Sequence, residues 1–202
     1  MAIRAIFFDF DGVLVDSELL HWETWSEVLK PKGIVVTWRD YSRRFIGVSN
    51  RAMIQMLCRD AGQVFDLHLF DAWYAEKRTL YQARHLRIPD DLVRFILEGL
   101  IGYRLGVVSS SQRSEVEPYL ERSGVRARLD VIVCAEDASE WKPSPEPYRR
   151  AAELAGIAPG ACLVVEDSEA GAESARQAGM TVVRVTGPGE VVAQVRGVLH
   201  VR

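Results

Sequence analysis

The chain opens on an apolar run, IRAIFF, that ends in two carboxylates one residue apart, Asp9 and Asp11, followed at once by Gly12. Apart from Arg4 the run is apolar and rich in Ile and Phe, which predicts a buried central strand. After Ser17 the spacing turns helical: ELLHWETWSEVL sets Trp22, Trp25 and Leu29 on one stripe, which stops at Pro31 and Gly33. Further helices are predicted over residues 38–45, 51–61 and 67–83, separated by the loop GVSN (Gly47 to Asn50) and by Gly62, with no strand-like run before about Arg87. Trp22 and Trp25 are assigned to the core of this block.

From Pro89 strands and helices alternate. The pattern predicts a helix over 90–99, a strand RLGVV leading into Ser109, Ser110 and Ser111, and a helix with a capping box at Ser114-x-x-Glu117 that stops at Gly124. Then follow the strand VIVC, a helix with Ser144 at its N-cap, Pro145 at its first position and Gly156 at its end, and the strand CLVVED. A helix opened by Ser168 and closed by Gly179, the strand TVVRV and a short tail complete the chain. Five β-like runs alternating with helices predict an α/β fold with a doubly wound, Rossmann-like parallel sheet. The helical block is an insertion just after the first strand, so residues 1–15 and 88–202 form a discontinuous core domain and residues 16–87 a separate helical domain.

Composition narrows the partner. With 202 residues there is room for one domain plus an insertion, and a net charge of -3 with scattered basic residues argues against nucleic acid and for a small molecule. Three unevenly spaced cysteines, Cys58, Cys134 and Cys162, are an odd number, and two lie in apolar runs where a free thiol packs as a small hydrophobe; this favours a reducing, cytoplasmic setting. No signal peptide is expected before the first strand, and no apolar run reaches the roughly 18 residues of a membrane span. The chain is expected to work as a monomer.

Candidate chemistry falls at the carboxyl ends of separate strands, where open α/β sheets bind ligands. Asp9 and Asp11 follow the first strand, Ser109 and Ser110 the second; Lys142 stands in a proline-stiffened loop after the third, and Glu166 with Asp167 ends the fourth. Two aspartates at i and i+2 point the same way along a strand and repel unless a cation or a proton sits between them. A cluster rich in carboxylates and poor in histidine suits Mg²⁺, which takes oxygen ligands and keeps waters to share with a phosphate. Asp9, Asp167 and the main-chain carbonyl of Asp11 are the expected ligands. One carboxylate can then attack phosphorus, Lys142 neutralises charge on the transferring group, the Ser109 hydroxyl holds phosphate oxygens, and Asp11 carries protons.

The segments FDFDGVLVDSE, VVSSS, WKPSPEPY and VVEDSEAGAESARQAGM resemble, in order and across the whole chain, the four motifs of the haloacid dehalogenase superfamily. The likeness is to the branch with a helical cap inserted after the first motif, which holds β-phosphoglucomutases and sugar-phosphate phosphatases. That resemblance implies Asp9 as nucleophile, Asp11 as acid and base, Ser109 as phosphate binder, Lys142 as charge clamp, Asp9 and Asp167 on Mg²⁺, and Glu166 beside Lys142 or the metal. An aspartate at position 11 sets the chain apart from the superfamily's dehalogenases and implies phosphate chemistry. The expected activity is hydrolysis of a small phosphorylated metabolite, a sugar or polyol phosphate, with a sugar phosphomutase as the alternative. DSELLHWETW and GVSN resemble cap segments of the mutase, which makes His21, Asn50 and Arg51, with Lys77, the candidates for gripping the rest of the substrate. Yet Asn50 stands where the mutase has an arginine, and Ile46 where it has a lysine.

Overall fold

The computed structural model describes residues 2–46, 48–84 and 86–199. Gly47, in the predicted GVSN loop, lies outside the described residues. In chain order the elements are β1 (Ala5–Phe8), α1 (Glu18–Leu29), α2 (Trp38–Arg44), α3 (Asn50–Asp60), α4 (Leu67–Ala83), α5 (Asp90–Arg94), β2 (Arg104–Val108), α6 (Arg113–Arg122), β3 (Val131–Val133), α7 (Glu146–Ala155), β4 (Cys162–Glu166), α8 (Glu169–Gln177), β5 (Thr181–Arg184) and α9 (Pro188–Leu199). Contacts divide the chain into two compact units, Met1–Asp16 with Leu86–Arg202, and Ser17–His85.

The larger unit is built on a five-stranded parallel sheet in the order β3-β2-β1-β4-β5. This is the α/β, doubly wound architecture expected from the alternating pattern. β1 lies at the centre, and all four of its residues are fully buried. Its register sets the site: Phe8 pairs with Val107 on one side and Val165 on the other, so Asp9, Val108 and Glu166 leave three adjacent strands at one level. Phe7, Val108, Val133, Tyr148, Val164 and Ala175 belong to one core cluster that anchors the strands. Gly106 in β2 has no space for a side chain, because a Cβ there would press on the Phe7 ring and on Val131.

The smaller unit is all-helical. Trp25, Val28, Leu29, Ile34, Val36, Tyr41, Phe45, Met53, Ile54, Leu57 and Cys58 form its core, and Trp22, Phe70, Trp73 and Tyr74 pack against them. α1 ends where the Lys30–Lys32 turn leads into Gly33 at φ +78°, a left-handed residue that only glycine adopts without strain.

Some local expectations are corrected. The tail after β5 is the twelve-residue helix α9; Val191 and Val195, one turn apart, are its buried residues, and the Gly187-Pro188-Gly189 start hides that short stripe. Pro188 at the first position is compatible with a helix because no intrahelical partner awaits its missing N–H. α6 starts at Arg113 with Gln112 at its N-cap, so Ser114 and Glu117 lie inside the helix and form no capping box; Glu117 instead meets Arg113 at 3.3 Å. α7 starts one residue later than expected, with Pro145 at the N-cap, while the Ser144 Oγ still accepts the Glu146 N–H at 3.3 Å. The predicted helix over 90–99 is α-helical only to Arg94, and Phe95–Gly99 widens into a π turn. Among the described residues no helix is long and apolar enough to cross a membrane.

Candidate active site

The end of β1 is tied to β4. The Asp9 N–H donates to the Val165 carbonyl at 3.0 Å, which extends the pairing with β4 by one residue. Gly12 then turns the chain at φ +74°, and a Cβ on it would overlap the Asp167 carboxylate. Glycine is thus required twice at this position, for its backbone conformation and for the close approach of Asp167.

At the end of β2, Ser109 is fully buried, and its N–H donates to the Val133 carbonyl at 2.9 Å. Its Oγ accepts the Ser111 N–H at 3.0 Å. A hydroxyl that accepts in this way keeps its own proton for another acceptor, which is what holding a phosphate oxygen demands. Ser110 is exposed. The next residue, Ser111, donates its hydroxyl to Asp11 Oδ2 at 2.7 Å.

Lys142 closes the cluster. Its Nζ donates to Asp9 Oδ1 at 2.9 Å, to Glu166 Oε1 at 2.6 Å and to the Val108 carbonyl at 3.0 Å, so all three ammonium protons are used. The side chain is only 6% exposed, and that of Glu166 not at all. Glu166 Oε1 also accepts from the Tyr148 hydroxyl at 2.7 Å, and Oε2 accepts from the Ser168 N–H at 3.2 Å and Oγ at 3.0 Å. Four donors therefore converge on one carboxylate. Gly171, in the first turn of α8, makes this possible, because a Cβ there would overlap the Glu166 carboxyl group.

Electrostatics follow from one buried cation among several carboxylates. Burial works against charge on Lys142, but Asp9 and Glu166 outweigh it and hold its ammonium above the ordinary lysine value. Burial would raise Glu166, yet the charge of Lys142 and the hydrogen bonds from Lys142, Tyr148 and Ser168 bring it below the usual carboxylate range. Asp9 goes the other way. Burial pushes it well above its ordinary value; Lys142 pulls it back, and Glu166, Asp167 and Asp11 push it up again. One lysine does not balance this much negative charge.

That imbalance is the test of whether a metal fits. Asp9, Glu166 and Asp167 each offer an oxygen within 4.8 Å of the others, a hard all-oxygen set with surplus negative charge, which is the chemistry that Mg²⁺ requires. With both Glu166 oxygens committed to protein donors, Asp9 and Asp167 are the carboxylates best placed to bear an ion.

The structure thus gathers Asp9, Asp11, Ser109, Lys142, Glu166 and Asp167 in the larger unit. His21, Asn50, Arg51 and Lys77 all belong to the helical unit. There His21 is buried and stacked on Tyr81, with ring centroids 4.6 Å apart, and Lys77 lies fully buried over the same Tyr81 ring at 4.3 Å. Asn50 accepts the Trp25 indole N–H at 2.7 Å, and Arg51 is exposed. Sequence reasoning missed Ser111, Tyr148, Ser168 and Gly171 as parts of the site. Tyr148 and Gly171 stand inside the quoted motifs, but nothing in their residue type points to Glu166 without the packing of α7 and α8 on the sheet.

A family model described as haloacid dehalogenase-like hydrolase matches residues 6–185. The chain belongs to that family. This haloacid dehalogenase-like chain is 30% identical over 185 residues to a phosphorylated carbohydrates phosphatase of Thermotoga maritima, with 88% of this chain and 82% of the relative covered. It is 29% identical over 179 residues to a phosphoglycolate phosphatase of Aquifex aeolicus, covering 88% of this chain and 82% of that one. Among solved structures it is similar to CbbY from Rhodobacter sphaeroides in complex with phosphate, with a TM-score of 0.77 and 25% identity over 92% of this chain and 87% of that chain.

Proposed function

We propose that the protein is a Mg²⁺-dependent phosphatase of small phosphorylated metabolites, sugar or polyol phosphates, working through a phosphoryl group carried on Asp9. Asp9 attacks phosphorus, and the bond from phosphorus to the leaving alcohol oxygen breaks as that oxygen takes a proton from Asp11. The Asp11 carboxylate then takes a proton from water, whose oxygen attacks phosphorus; the bond to Asp9 breaks and inorganic phosphate leaves. Ser109 donates its free hydroxyl proton to a phosphoryl oxygen. Lys142, held by Glu166, keeps Asp9 in place and offsets negative charge nearby. Asp9, Asp167 and the main-chain carbonyl of Asp11 would hold the Mg²⁺, which would neutralise charge on the phosphoryl oxygens when bound. Residues 16–87 act as the cap that selects the substrate.

The observation that carries this reading is the Lys142 ammonium bonded at once to Asp9 and Glu166 where β1, β2 and β4 end together. The names of the relatives, phosphatases of phosphorylated carbohydrates and of phosphoglycolate, support the choice of small phosphate esters. The test is phosphate release from a panel of small phosphorylated metabolites with Mg²⁺, using wild type and Asp11→Asn. Release from one or a few sugar or polyol phosphates, lost in the variant, is expected. Release from none would refute the reading. Isomerisation of β-glucose 1-phosphate, primed with the 1,6-bisphosphate and outrunning release, would make the protein a mutase.

A further inference from the structure

We infer that Glu146 is the positioning residue for Lys142: its carboxylate clasps the loop that carries the lysine and so aims the ammonium at Asp9 and Glu166. The inference rests on the phosphatase reading above, in which Lys142 keeps Asp9 in place. Lys142 stands within residues 134–145, the long connection from β3 to α7, yet its ammonium meets three partners at 2.6 to 3.0 Å. A loop holds a side chain that accurately only when its own main chain is tied down.

The first part of the connection is anchored to the turn after β2 and the start of α6. The Ala135 N–H donates to the Ser111 carbonyl at 3.0 Å, and the Asp137 carboxylate accepts the Cys134 N–H at 2.7 Å and the Arg113 guanidinium at 2.5 Å. Beyond Asp137 the anchor changes. The Ser139 N–H donates to Glu146 Oε1 at 2.9 Å, and the Ser139 hydroxyl and the Glu140 N–H both donate to Oε2 at 2.8 Å. These are lengths of bonds to a charged acceptor, and the three donors hold the Glu146 carboxyl below its usual value. On the far side of Lys142, the Ser144 hydroxyl donates to Glu140 Oε2 at 2.9 Å, and the Ser144 carbonyl accepts the Ser174 hydroxyl at 2.5 Å.

Glu146 suits this task because its own backbone is fixed. It is the first residue of α7, whose Pro147, Tyr148, Ala151 and Ala152 are buried, and Tyr148, Ala151 and Ala152 share a core cluster with Val108 and Val133 of the sheet. A carboxylate in the first turn of a helix is also favoured by the unpaired N–H groups there. The clasp thus carries the seat of α7 on the sheet to a main chain two residues ahead of Lys142. Without it the segment after Asp137 drifts, and a misplacement of about 1 Å at a reacting centre costs roughly a hundredfold.

The experiment pairs turnover with the exposure of Lys142 to a reagent, in wild type, Glu146→Ala, Glu146→Gln and Ser139→Ala. Phosphate release is measured with Mg²⁺ on the best substrate of the panel. In parallel each protein is treated briefly with acetic anhydride, and acetylation of each lysine is read by mass spectrometry. Exposed Lys30 is the internal standard, and fully buried Lys77 reports general unfolding. For Glu146→Ala the inference expects Lys142 acetylation to rise about tenfold against Lys30, with Lys77 unchanged. It expects kcat to fall roughly tenfold to a hundredfold and KM to change less than about twofold, since Lys142 uses its protons on protein groups. Glu146→Gln keeps one acceptor oxygen and Ser139→Ala loses one donor, so both should fall between; they decide by the same criteria if Glu146→Ala yields no folded protein. Lys142 acetylation equal to that of wild type would overturn the inference whatever the rate, as would an unchanged kcat or a rise shared by Lys77, and each leaves the phosphatase reading intact. Release from no substrate by wild type would overturn that reading and this inference with it.

Discussion

Gly171→Ala separates the account from ordinary helix reasoning, because the two predict opposite signs. Alanine is favoured over glycine inside a helix by up to about 1 kcal/mol, so propensity alone makes the change stabilising. At this position the new Cβ overlaps the Glu166 carboxyl group, which is held by Lys142, Tyr148 and Ser168. Glu166 must swing away or α8 must lift from β4. The first movement breaks the buried ion pair with Lys142, a loss of about 3–5 kcal/mol when one charge is left uncompensated, and the second breaks the Ser168 hydrogen bonds and the packing of α8 on the sheet. The balance is a net destabilisation of about 2–4 kcal/mol, or roughly 4–16 °C in midpoint for a protein of this size. Turnover should fall as well, because Lys142 loses one of its two carboxylate partners. Gly197→Ala in α9 is the control, since a Cβ there meets no atom within 4 Å and the same propensity should make it neutral or mildly stabilising. The assay is thermal unfolding with phosphate release measured on the same samples. A Gly171→Ala protein as stable and active as wild type would refute the packing argument.

Two further outcomes follow from the electrostatics. The Glu166 carboxyl lies below its reference value of 4.5 in the folded protein, so the stability it contributes is full above about pH 4.5 and lost as pH falls through the depressed value. Glu166→Gln should therefore flatten the acid limb of the stability curve below about pH 4.5; an equally steep limb would contradict this. Mg²⁺ should stabilise wild type by about 2.7 kcal/mol at a hundred times its dissociation constant, raising the unfolding midpoint, and should do little for Asp167→Asn. A wild-type midpoint indifferent to Mg²⁺ would count against the metal assignment.

The parallel core was legible because buried strands such as AIFF and CLVV are continuous apolar runs closed by polar residues, and because parallel pairing forces their ends to one edge. That is why Asp9, Ser109 and Glu166 could be placed together before any coordinates. α9 was not legible, since two valines one turn apart behind a Gly-Pro-Gly start carry too little periodicity. The supporting layer of the site was hidden for another reason. Tyr148 reads as a core aromatic and Gly171 as a weak point in a helix, and their meaning depends on a carboxylate that reaches them only across the fold. Ser111 is similar: three serines in a row look alike in sequence, and the turn after β2 decides that one is buried, one exposed and one bonded to Asp11. In the helical unit, Asn50, a candidate for gripping the substrate from its resemblance to a cap loop, has its side-chain oxygen engaged by the Trp25 indole N–H, a contact 25 residues away in sequence.

The central claim is that Asp9 carries the phosphoryl group, and mass spectrometry of acid-quenched enzyme tests it most directly. Asp11→Asn incubated with Mg²⁺ and 4-nitrophenyl phosphate should form the phosphoenzyme without needing a general acid and hydrolyse it slowly for want of a base. The account predicts one phosphoryl group on the peptide containing Asp9, absent when Asp9→Asn is added. Nitrophenol release with the phosphoryl group on another residue would contradict it, as would release with no phosphoenzyme at all.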